Sequence, residues 1–521
     1  MTTKVYDWVA YHANQAPSRL ACIDLFSGRQ YTYAQMQERT ARLANGLRQQ
    51  YAISKGDRVA ALTNNTSDCL ELEFACMKLG AIYVPLNWRL SVPELEYIVG
   101  DCAPKILIHE DVFADEAEAL KAKDIVAELL DLRADGKASG YEALIEAAGT
   151  DNPEVDLDHD DLWVIMYTSG TTGNPKGAMI TYGMTFWNVI NALTPHRVSE
   201  DMVNLVVLPL FHTGGLNCYA NPAVHMGGTN IIVRSFDPGE CLKLLSDPEY
   251  GVTHMLAVPT NYLFMSQHPT FEQCDLSNVK TFGIGGAPTP REMINTYAKR
   301  NIGLQQVFGM TETSPLVSAL TAENAMLKIG SAGLPVLHNQ VKIMTENGEF
   351  VGTPETVGEL WVKGPNITPG YWNKPEVNET AFTDGWLHTG DIGELDHNNY
   401  LTITDRKKDI IVNLGGDNIS PSKIENFLCL NEFIEQSFVY GDKKNYLVAL
   451  IVGKKEIKVE KIQFIIENIN KNLTQIEKIK KFITISNEFT IENGMLTPTL
   501  KAKRKEITKN YKEQLENLYS N

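Results

Sequence analysis

The sequence predicts an α/β protein: a large N-terminal domain of parallel-sheet α/β subdomains plus a small β-structured subdomain, followed by a small mobile α+β C-terminal domain. Three observations support this prediction. In the first part of the chain, strand-like apolar runs alternate with helical stretches, a pattern typical of parallel sheets covered by helices. Tight-turn dipeptides then separate shorter strand-like runs, and the composition changes near Arg406.

Helices and strands alternate from residue 32 onwards. Thr32 and Gln35 have the spacing of a capping box, and the apolar residues of 32–47 fall on one face of the helix that the box opens. The predicted helices are 32–47, 68–79 and 93–99, and the predicted strands are 58–63, 81–86, 105–109, 162–166, 203–209, 230–233 and 279–284.

Antiparallel strands are predicted from residue 341 onwards. The strand-like runs 341–344 and 359–362 flank Asn347-Gly348, a dipeptide suited to a tight hairpin, and a further strand is expected over 400–404. Beyond Arg406, helices are expected over 424–428, 459–473 and 507–518, with strands over 438–440 and 447–452. We therefore predict an N-terminal domain over 1–404, a hinge over 405–408 and a C-terminal domain over 409–521.

The charge of the chain is unevenly divided. The 521 residues are 43% hydrophobic, which excludes a disordered chain, and their net charge of −17 argues against nucleic acid as a partner, since that needs a basic surface. Residues up to Asp405 hold 27 Lys and Arg against 49 Asp and Glu, a net of −22, and the remainder hold 20 against 15, a net of +5. The only alanines beyond Arg406 are Ala449 and Ala502, so composition and charge mark the same boundary.

Targeting and metal signals are missing from the sequence. The N-terminus lacks the basic-then-apolar stretch of a secretory signal, and no window has the length and apolarity of a transmembrane segment, so a cytoplasmic location is expected. The 8 cysteines form no CxxC pair, and the 11 histidines form no HExxH pattern. Neither a zinc site nor a disulfide framework is expected.

The segment 167–177 carries the strongest local signal of a binding site. It follows the predicted strand at 162–166, and its glycines, hydroxyls and one lysine suit a polyphosphate cradle. A Walker A pattern does not fit, because Pro175 precedes the lysine and Gly177 follows it. The alternative is an exposed polar linker. The residues expected to contact phosphate are Thr168, Ser169, Gly170, Thr171, Thr172, Gly173 and Lys176.

With this segment and five others in the same order, the chain resembles the acyl-adenylate-forming superfamily. That superfamily includes acyl-CoA synthetases, 4-coumarate and feruloyl-CoA ligases, firefly-type luciferases and nonribosomal adenylation domains. The resemblance covers nearly the whole chain. The five further segments are 209–215, 285–288, 308–313, 385–391 and 405–409.

The resemblance implies a role for each segment. Gly286, Ala287, Pro288, Phe308, Gly309, Met310, Thr311, Asp391 and Arg406 would join the phosphate segment in binding ATP or AMP. Phe211, His212, Gly214, Gly215, Gly285 and Thr313 would line the acyl pocket, although Gly214 and Gly215 are equally suited to a turn. Lys408 would be the hinge, Gly415 and Gly416 would meet CoA, Glu312 and Thr172 would hold the metal, and Lys501, His212, Thr311 and Glu312 would be catalytic.

Three of these roles also follow from side-chain chemistry. Asp391 offers two acceptor oxygens to a ribose diol, although by itself it would sooner be interpreted as a helix cap or a surface acid. Glu312, next to Thr311, offers the hard oxygens that Mg²⁺ takes. Phe308 offers adenine an aromatic face where the family usually has Tyr, but without the family order it would be read as a core residue.

Lys501 is expected to neutralise the charge that gathers between the attacking carboxylate and the α-phosphate. Leu500 stands where the family's loop usually has glycine, so Lys503 is the alternative catalytic lysine. Both lysines could instead be solvated charges of a basic stretch.

The two ends of the chain resemble different subfamilies. The first part is similar to feruloyl-, coumaroyl- and medium-chain acyl-CoA ligases, whereas 407–420, 447–452 and 496–501 resemble long-chain fatty-acyl ligases. This difference motivates the hypothesis that the two domains have separate origins, by fusion or engineering. A natural homologue that carries both patterns in one chain would remove it.

We therefore predict an ATP-dependent acid:CoA ligase that uses Mg²⁺ and CoA and forms an acyl-AMP intermediate. The expected substrate is a medium-chain fatty acid or an aryl or phenylpropenoic acid, with a long-chain fatty acid as the alternative. The rivals are an adenylation enzyme that loads a carrier protein, a luciferase-like oxygenase and an inactive binding scaffold. The expected partners are small molecules only, with the chain a monomer or homodimer.

Overall fold

The computed structural model describes residues 3–168, 174–345, 348–351, 353–431, 433–454, 457–490, 493–496 and 502–520. Lys501 and the 169–173 part of the phosphate segment lie outside the described residues. No described helix combines the length and the apolar character needed to cross a membrane.

The N-terminal part alternates helices and strands as predicted. The predicted capping box is present, because the Thr32 hydroxyl accepts from the Gln35 N–H at 3.3 Å and the Gln35 amide oxygen accepts from the Thr32 N–H at 2.9 Å. The elements are α1 (Trp8–Gln15), β1 (Leu20–Asp24), β2 (Gln30–Thr32), α2 (Tyr33–Tyr51), β3 (Arg58–Leu62), α3 (Ser67–Leu79), β4 (Ile82–Pro85), α4 (Val92–Cys102), β5 (Ile106–Glu110), α5 (Ala114–Lys121), β6 (Glu128–Leu132), α6 (Gly140–Ala147) and β7 (Leu162–Thr168).

The middle part continues the alternation and adds a π-helix over Leu216–Ala220 and a 3₁₀ turn over Thr311–Thr313. Its elements are β8 (Lys176–Thr181), α7 (Tyr182–Leu193), β9 (Val203–Val206), α8 (Thr213–Gly215), α9 (Asn221–Met226), β10 (Thr229–Ile232), α10 (Pro238–Ser246), β11 (His254–Ala257), α11 (Pro259–Gln267), β12 (Thr281–Gly285), α12 (Arg291–Ala298), β13 (Leu304–Gly309), β14 (Leu316–Ala319), α13 (Ala322–Ala325) and β15 (Leu334–Pro335).

Two large sheets organise these parts. One has the order β6-β5-β3-β4-β7-β8 and is parallel except for β8. The other has the order β15-β14-β13-β12-β11-β9-β10-β1-β2, in which the strands from β13 to β1 are parallel. The carboxyl ends of β9, β12 and β13 therefore meet at one edge, where open α/β sheets bind ligands.

The last part contains the smaller sheets. The order β16-β17-β19-β18, with β20 on β19, is antiparallel, and the C-terminal unit holds the order β23-β24-β25. The elements are β16 (Gln340–Met344), β17 (Gly358–Lys363), α14 (Pro375–Ala381), β18 (Phe382–Thr383), β19 (Trp386–Leu395), β20 (Leu401–Arg406), β21 (Ile411–Val412), β22 (Asn418–Ile419), α15 (Pro421–Cys429), β23 (Ile434–Tyr440), β24 (Leu447–Gly453), α16 (Val459–Ile469), β25 (Ile479–Ile485), α17 (Arg504–Asn510) and α18 (Lys512–Asn517).

The predicted fold class is confirmed, and two details of the prediction change. The expected helix over 507–518 is two helices, because the chain bends at Tyr511, whose ring is buried against Phe489. The strands 341–344 and 359–362 pair as expected, with the longer connection 345–357 between them. Within this connection the Val351 N–H donates to the Ile343 carbonyl oxygen at 2.9 Å, and Asn347 of the expected tight turn lies outside the described residues.

Candidate active site

Three predicted segments leave the ends of parallel strands at the same edge of the nine-stranded sheet. Residues 286–288 follow β12, residues 309–311 end and follow β13, and residues 211–215 follow β9. Gly285 pairs with Val307, which sets the first two segments side by side. Gly286, Ala287 and Pro288 are exposed there, as an adenine-edge turn requires.

The predicted phosphate segment is the connection of a hairpin. Thr168 pairs with Lys176 at the open ends of β7 and β8, and the Thr168 hydroxyl donates to the Lys176 carbonyl oxygen at 3.3 Å. The Lys176 ammonium lies 5.2 Å from the centroid of the Tyr371 ring. The loop residues Ser169, Gly170, Thr171, Thr172 and Gly173 are outside the described residues.

Glu312 lies buried in the turn after β13. Only 6% of it is exposed, and the Tyr371 hydroxyl donates to its Oε1 at 2.7 Å. Burial, and then the charge of Glu312, raise the pKa of Tyr371, so the phenol stays a neutral donor. The Thr313 hydroxyl is used within the turn, because it accepts from Met310 N–H at 3.1 Å and donates to the Pro315 carbonyl oxygen.

Asp391 and Arg406 face each other on β19 and β20. The Arg406 Nε lies 3.4 Å from Asp391 Oδ1, and Asp391 is 5% exposed. Burial, and then the charge of Arg406, lower the pKa of Lys408, and the charges of Asp391 and Lys176 also act on it. Lys176, the Asp391–Arg406 pair and the predicted hinge residue Lys408 are therefore close enough for their charges to interact.

The predicted acyl segment begins with a histidine cap. His212 Nδ1 accepts from the Gly214 N–H at 3.1 Å and opens α8, and Phe211 beside it is buried. A Cβ on Gly215 would lie 2.2 Å from the Pro209 carbonyl oxygen, so this glycine is required by the backbone's close approach. Close packing also accounts for Gly309, where a Cβ would lie 1.8 Å from the Pro315 carbonyl oxygen.

Gly285, the last predicted pocket glycine, also packs closely. It is buried at the end of β12, and a Cβ there would lie 2.6 Å from Val307 Cγ2. Gly214 has more room, because its Cβ would lie 3.3 Å from His212 Nδ1. These close contacts constrain the backbone at Gly215 and Gly285, and the place of both glycines in the acyl pocket stays a prediction.

The C-terminal unit is tied to the end of β20. Asp405 is buried and accepts from the hydroxyl of Ser420, the N-cap of α15, at 2.7 Å and from the Ser422 N–H at 3.2 Å. The turn that contains Gly415 and Gly416 stands at the surface, and Gly416 has φ +83°.

Lys503, the alternative catalytic lysine, is anchored through its backbone. Its N–H donates to the Met495 carbonyl oxygen at 2.8 Å. Next to it, the Arg504 guanidinium donates to Glu425 at 2.8 Å and lies 4.5 Å from the Phe438 ring centroid. These contacts fix the chain directly after Lys501, which is itself outside the described residues.

Sequence reasoning missed residues 366–374, which we call the strap. Thr368, Tyr371 and Trp372 all contact predicted site elements, since the Trp372 N–H donates to the Gly177 carbonyl oxygen at 2.8 Å. The signal was present as a Pro-Gly-Tyr-Trp run between two strands, where a loop without a function would seldom be rich in aromatic residues.

Two further missed residues lie at the acyl segment. The Arg89 guanidinium lies 4.4 Å from the Trp88 ring centroid and 5.5 Å from that of Phe211, and burial lowers its pKa. Asn217, in the π-helix, donates to the Ser314 hydroxyl at 3.1 Å. No periodic pattern could have indicated Asn217, because its contact depends on a helix with irregular pitch.

Glu312 suits a magnesium ion in chemistry and burial. It is a buried carboxylate whose one oxygen is oriented by a neutral phenol. In the described ranges no three His, Cys, Asp or Glu side chains converge on a metal-sized site, so a cation at Glu312 would need ligands of other kinds, such as hydroxyl, phosphate and water oxygens.

Comparison with known proteins identifies the class. The family model for AMP-binding enzymes matches residues 9–372, and the model for the AMP-binding enzyme C-terminal domain matches residues 408–521. The chain belongs to the AMP-binding enzyme family.

Relatives within the family are named CoA synthases, ligases or synthetases. The chain is 38% identical over 434 residues to a feruloyl-CoA synthase of Amycolatopsis sp, covering 83% of this chain and 84% of the relative. It is 33% identical over 476 residues to a long-chain-fatty-acid–CoA ligase of Mycobacterium tuberculosis, covering 90% and 92%. The o-succinylbenzoate CoA synthetase of Bacillus subtilis, in complex with ATP and magnesium ion, superposes with a TM-score of 0.84 at 27% identity, over 96% of this chain and 99% of the other.

The prediction of an AMP-forming acid:CoA ligase is confirmed at the level of class. The expected substrates and cofactor, ATP, CoA and Mg²⁺, are confirmed with it. The enzyme is an acid–thiol ligase.

Proposed function

We propose that this ligase activates an aryl or medium-chain carboxylic acid in two steps at one site. In the first step a carboxylate oxygen attacks the α-phosphorus of ATP, the bond to the β-phosphate oxygen breaks, and pyrophosphate leaves. In the second the CoA thiol loses its proton, its sulfur attacks the acyl carbon, and AMP leaves. The products are an acyl-CoA thioester and AMP.

Two observations support this proposal more than any other: Lys176 and Glu312 both contact Tyr371, and Asp391 pairs with Arg406. Lys176 closes the phosphate hairpin and would neutralise leaving pyrophosphate, and Asp391, oriented by Arg406, would accept the ribose hydroxyls. Mg²⁺, when bound, screens the phosphate charge, and Glu312 with Thr172 would hold it.

The other residue roles are part of the same proposal. Phe308 and the turn 286–288 would hold adenine, while His212 and Phe211 would border the acyl group. Lys501 would neutralise charge in the first step. The proposed domains are 1–404 and 409–521, and the C-terminal domain would turn about the hinge 405–408 between steps, replacing Lys501 with the turn of Gly415 and Gly416.

The substrate class rests on resemblance. The feruloyl-CoA synthase relative supports an aryl acid, and the mycobacterial relative supports a long-chain fatty acid as the alternative. Carrier-protein loading is less well supported, because Asn418 stands where a phosphopantetheine site needs serine. We also propose a cytoplasmic location and a monomer or homodimer, which light scattering would distinguish.

A panel of acids from acetate through ferulate to palmitate tests this proposal. Each acid is incubated with ATP and Mg²⁺, with and without CoA, and AMP and thioester are both measured. We expect CoA-dependent thioester from ferulate or a medium-chain acid and little from acetate. Equal AMP with and without CoA, and no thioester from any acid, would contradict it.

A further inference from the structure

The strap joins two parts of the proposed site that belong to different sheets. On one side the Thr368 N–H donates to the Glu312 carbonyl oxygen at 2.8 Å. On the other side the Thr368 hydroxyl donates to the carbonyl oxygen of Met179, on β8, at 2.6 Å. The strap therefore fixes the distance between the Glu312 turn and the phosphate hairpin.

Tyr371 is the strap residue that contacts both functional side chains. Its hydroxyl donates to Glu312 Oε1 at 2.7 Å, and the Lys176 ammonium lies 5.2 Å from its ring centroid. Its own N–H donates to Asn378 Oδ1 at 2.7 Å, and the residue forms a bridge with Ala178 of β8. With 9% of the residue exposed, the ring has a fixed orientation.

These contacts matter because Lys176 and Glu312 carry opposite charges. In a partly buried site an ammonium and a carboxylate attract each other strongly, and a direct ion pair would occupy both groups. In the described part of the chain both contact the same phenol instead. Neither a hydrogen bond from a neutral donor nor a cation–π contact neutralises the charge it meets, so the charges of Glu312 and Lys176 stay available to a metal ion and to phosphate.

We propose that Tyr371 is a positioning residue for adenylation: it orients the Glu312 carboxylate toward a divalent cation and keeps the Lys176 ammonium available for the phosphates of ATP. This inference rests on the proposed function, because it assumes that Mg²⁺ and ATP bind at Glu312 and Lys176. Tyr371 lies outside every predicted site segment, and it acts through two other residues, Glu312 and Lys176.

Two substitutions separate the two contacts of the phenol. Tyr371→Phe keeps the ring and removes the hydroxyl, so the Mg²⁺ concentration that half-saturates AMP formation should rise about tenfold, as expected for a lost hydrogen bond to a charged group. Tyr371→Leu removes both contacts, so it should also weaken ATP binding, measured by calorimetry at fixed Mg²⁺, at least about threefold beyond the Phe variant. Conversion of supplied acyl adenylate to thioester should stay unchanged in Tyr371→Phe.

Tyr141→Phe is the matched control. The Tyr141 hydroxyl donates to buried Glu71 at 3.2 Å in the N-terminal domain, so its loss should lower the melting temperature without changing the Mg²⁺ dependence. A folded Tyr371→Phe with wild-type Mg²⁺ dependence and ATP affinity would overturn the inference, as would an equal Mg²⁺ shift in the control. If the wild type binds Mg²⁺ and ATP but activates no acid, the proposed function fails, and Tyr371 is still judged on the binding measurements. Failure of the wild type to bind ATP would contradict both.

Discussion

The N-terminal and C-terminal parts of the chain hold their charges in different ways. In the N-terminal part, buried carboxylates pair with arginines: Arg29 binds Asp68 through two hydrogen bonds of 2.8 and 2.7 Å, and Arg39 binds Glu71 at 2.6 and 3.1 Å. In the C-terminal part, after Asp405, 18 of the 35 charged residues are lysines, many of them exposed. Arg504 and Glu425 form one pair with little exposure there, and a mixed sheet and two apolar clusters form the core.

This difference fits a division of work between the domains. Buried ion pairs with good geometry keep the N-terminal part rigid, because breaking one leaves an uncompensated charge. Exposed basic residues on the C-terminal part can attract the polyanions ATP and CoA without forming buried ion pairs. The comparison predicts that substitutions in the two parts have effects of different kinds.

The largest expected effect belongs to Lys501→Ala. If the C-terminal domain supplies charge only to the first step, this variant should lose about 10²–10³-fold in AMP formation yet still convert supplied acyl adenylate to thioester. The two half-reactions are measured separately by AMP release and thioester formation. Lys503→Ala is the control for which of the two lysines is catalytic, and it should leave the rates of both half-reactions within about twofold of wild type. Equal loss of both half-reactions in Lys501→Ala would remove the assigned role.

An intermediate effect is expected where the two parts join. Asp405→Asn removes the charge that accepts from Ser420 and Ser422, so docking of the C-terminal unit should weaken by about 1.5–3 kcal/mol. Limited proteolysis should then cut near residues 405–409 roughly tenfold faster. Ser422→Ala removes one donor and should give a smaller increase. Equal cleavage rates for wild type and Asp405→Asn would show that this cluster does not control docking.

The smallest expected effect on activity concerns a buried acid in α3, whose titration changes stability alone. Burial raises the pKa of Glu73 to about 8, although Asn221 donates to it at 2.9 Å. Between the ordinary pKa of a glutamate and about 8, the folded state binds more protons than the unfolded state, so this group makes stability fall as pH rises, by at most about 1.4 kcal/mol per pH unit.

Glu73→Gln removes this titration. Relative to the wild type, the variant should gain melting temperature as the pH is raised from 5 to 7.5. Scanning calorimetry of both proteins at the two pH values measures the difference. A difference that is the same at both values would mean that Glu73 does not stay protonated in the folded protein.

The sequence predicted the fold where the pattern is local. The capping box at Thr32 and the strands at 58–63 and 105–109 depend on spacing within a few residues, and the structure has all three. Strand order could not be read in this way. The nine-stranded sheet puts β1 beside β10, about 200 residues further along, and only long-range packing decides that.

The candidate site was predictable where a motif carries its own chemistry, as in Lys176 and Glu312. The site was not predictable where a residue acts only by positioning another side chain. Tyr371 has no ligand chemistry of its own, and its importance comes from contacts with two side chains that lie 59 and 195 residues away in sequence. For a related reason the sequence could not show the close packing at Gly215 and Gly285, because the space beside a glycine depends on which atoms pack against it.

The central claim is that the chain forms an acyl adenylate before CoA takes part. Exchange of labelled pyrophosphate into ATP, measured with ferulate or a medium-chain acid and without CoA, tests this claim most directly. We predict exchange that depends on the acid and on Mg²⁺ and needs no CoA. Absence of exchange with every acid that yields thioester, or exchange that requires CoA, would contradict it.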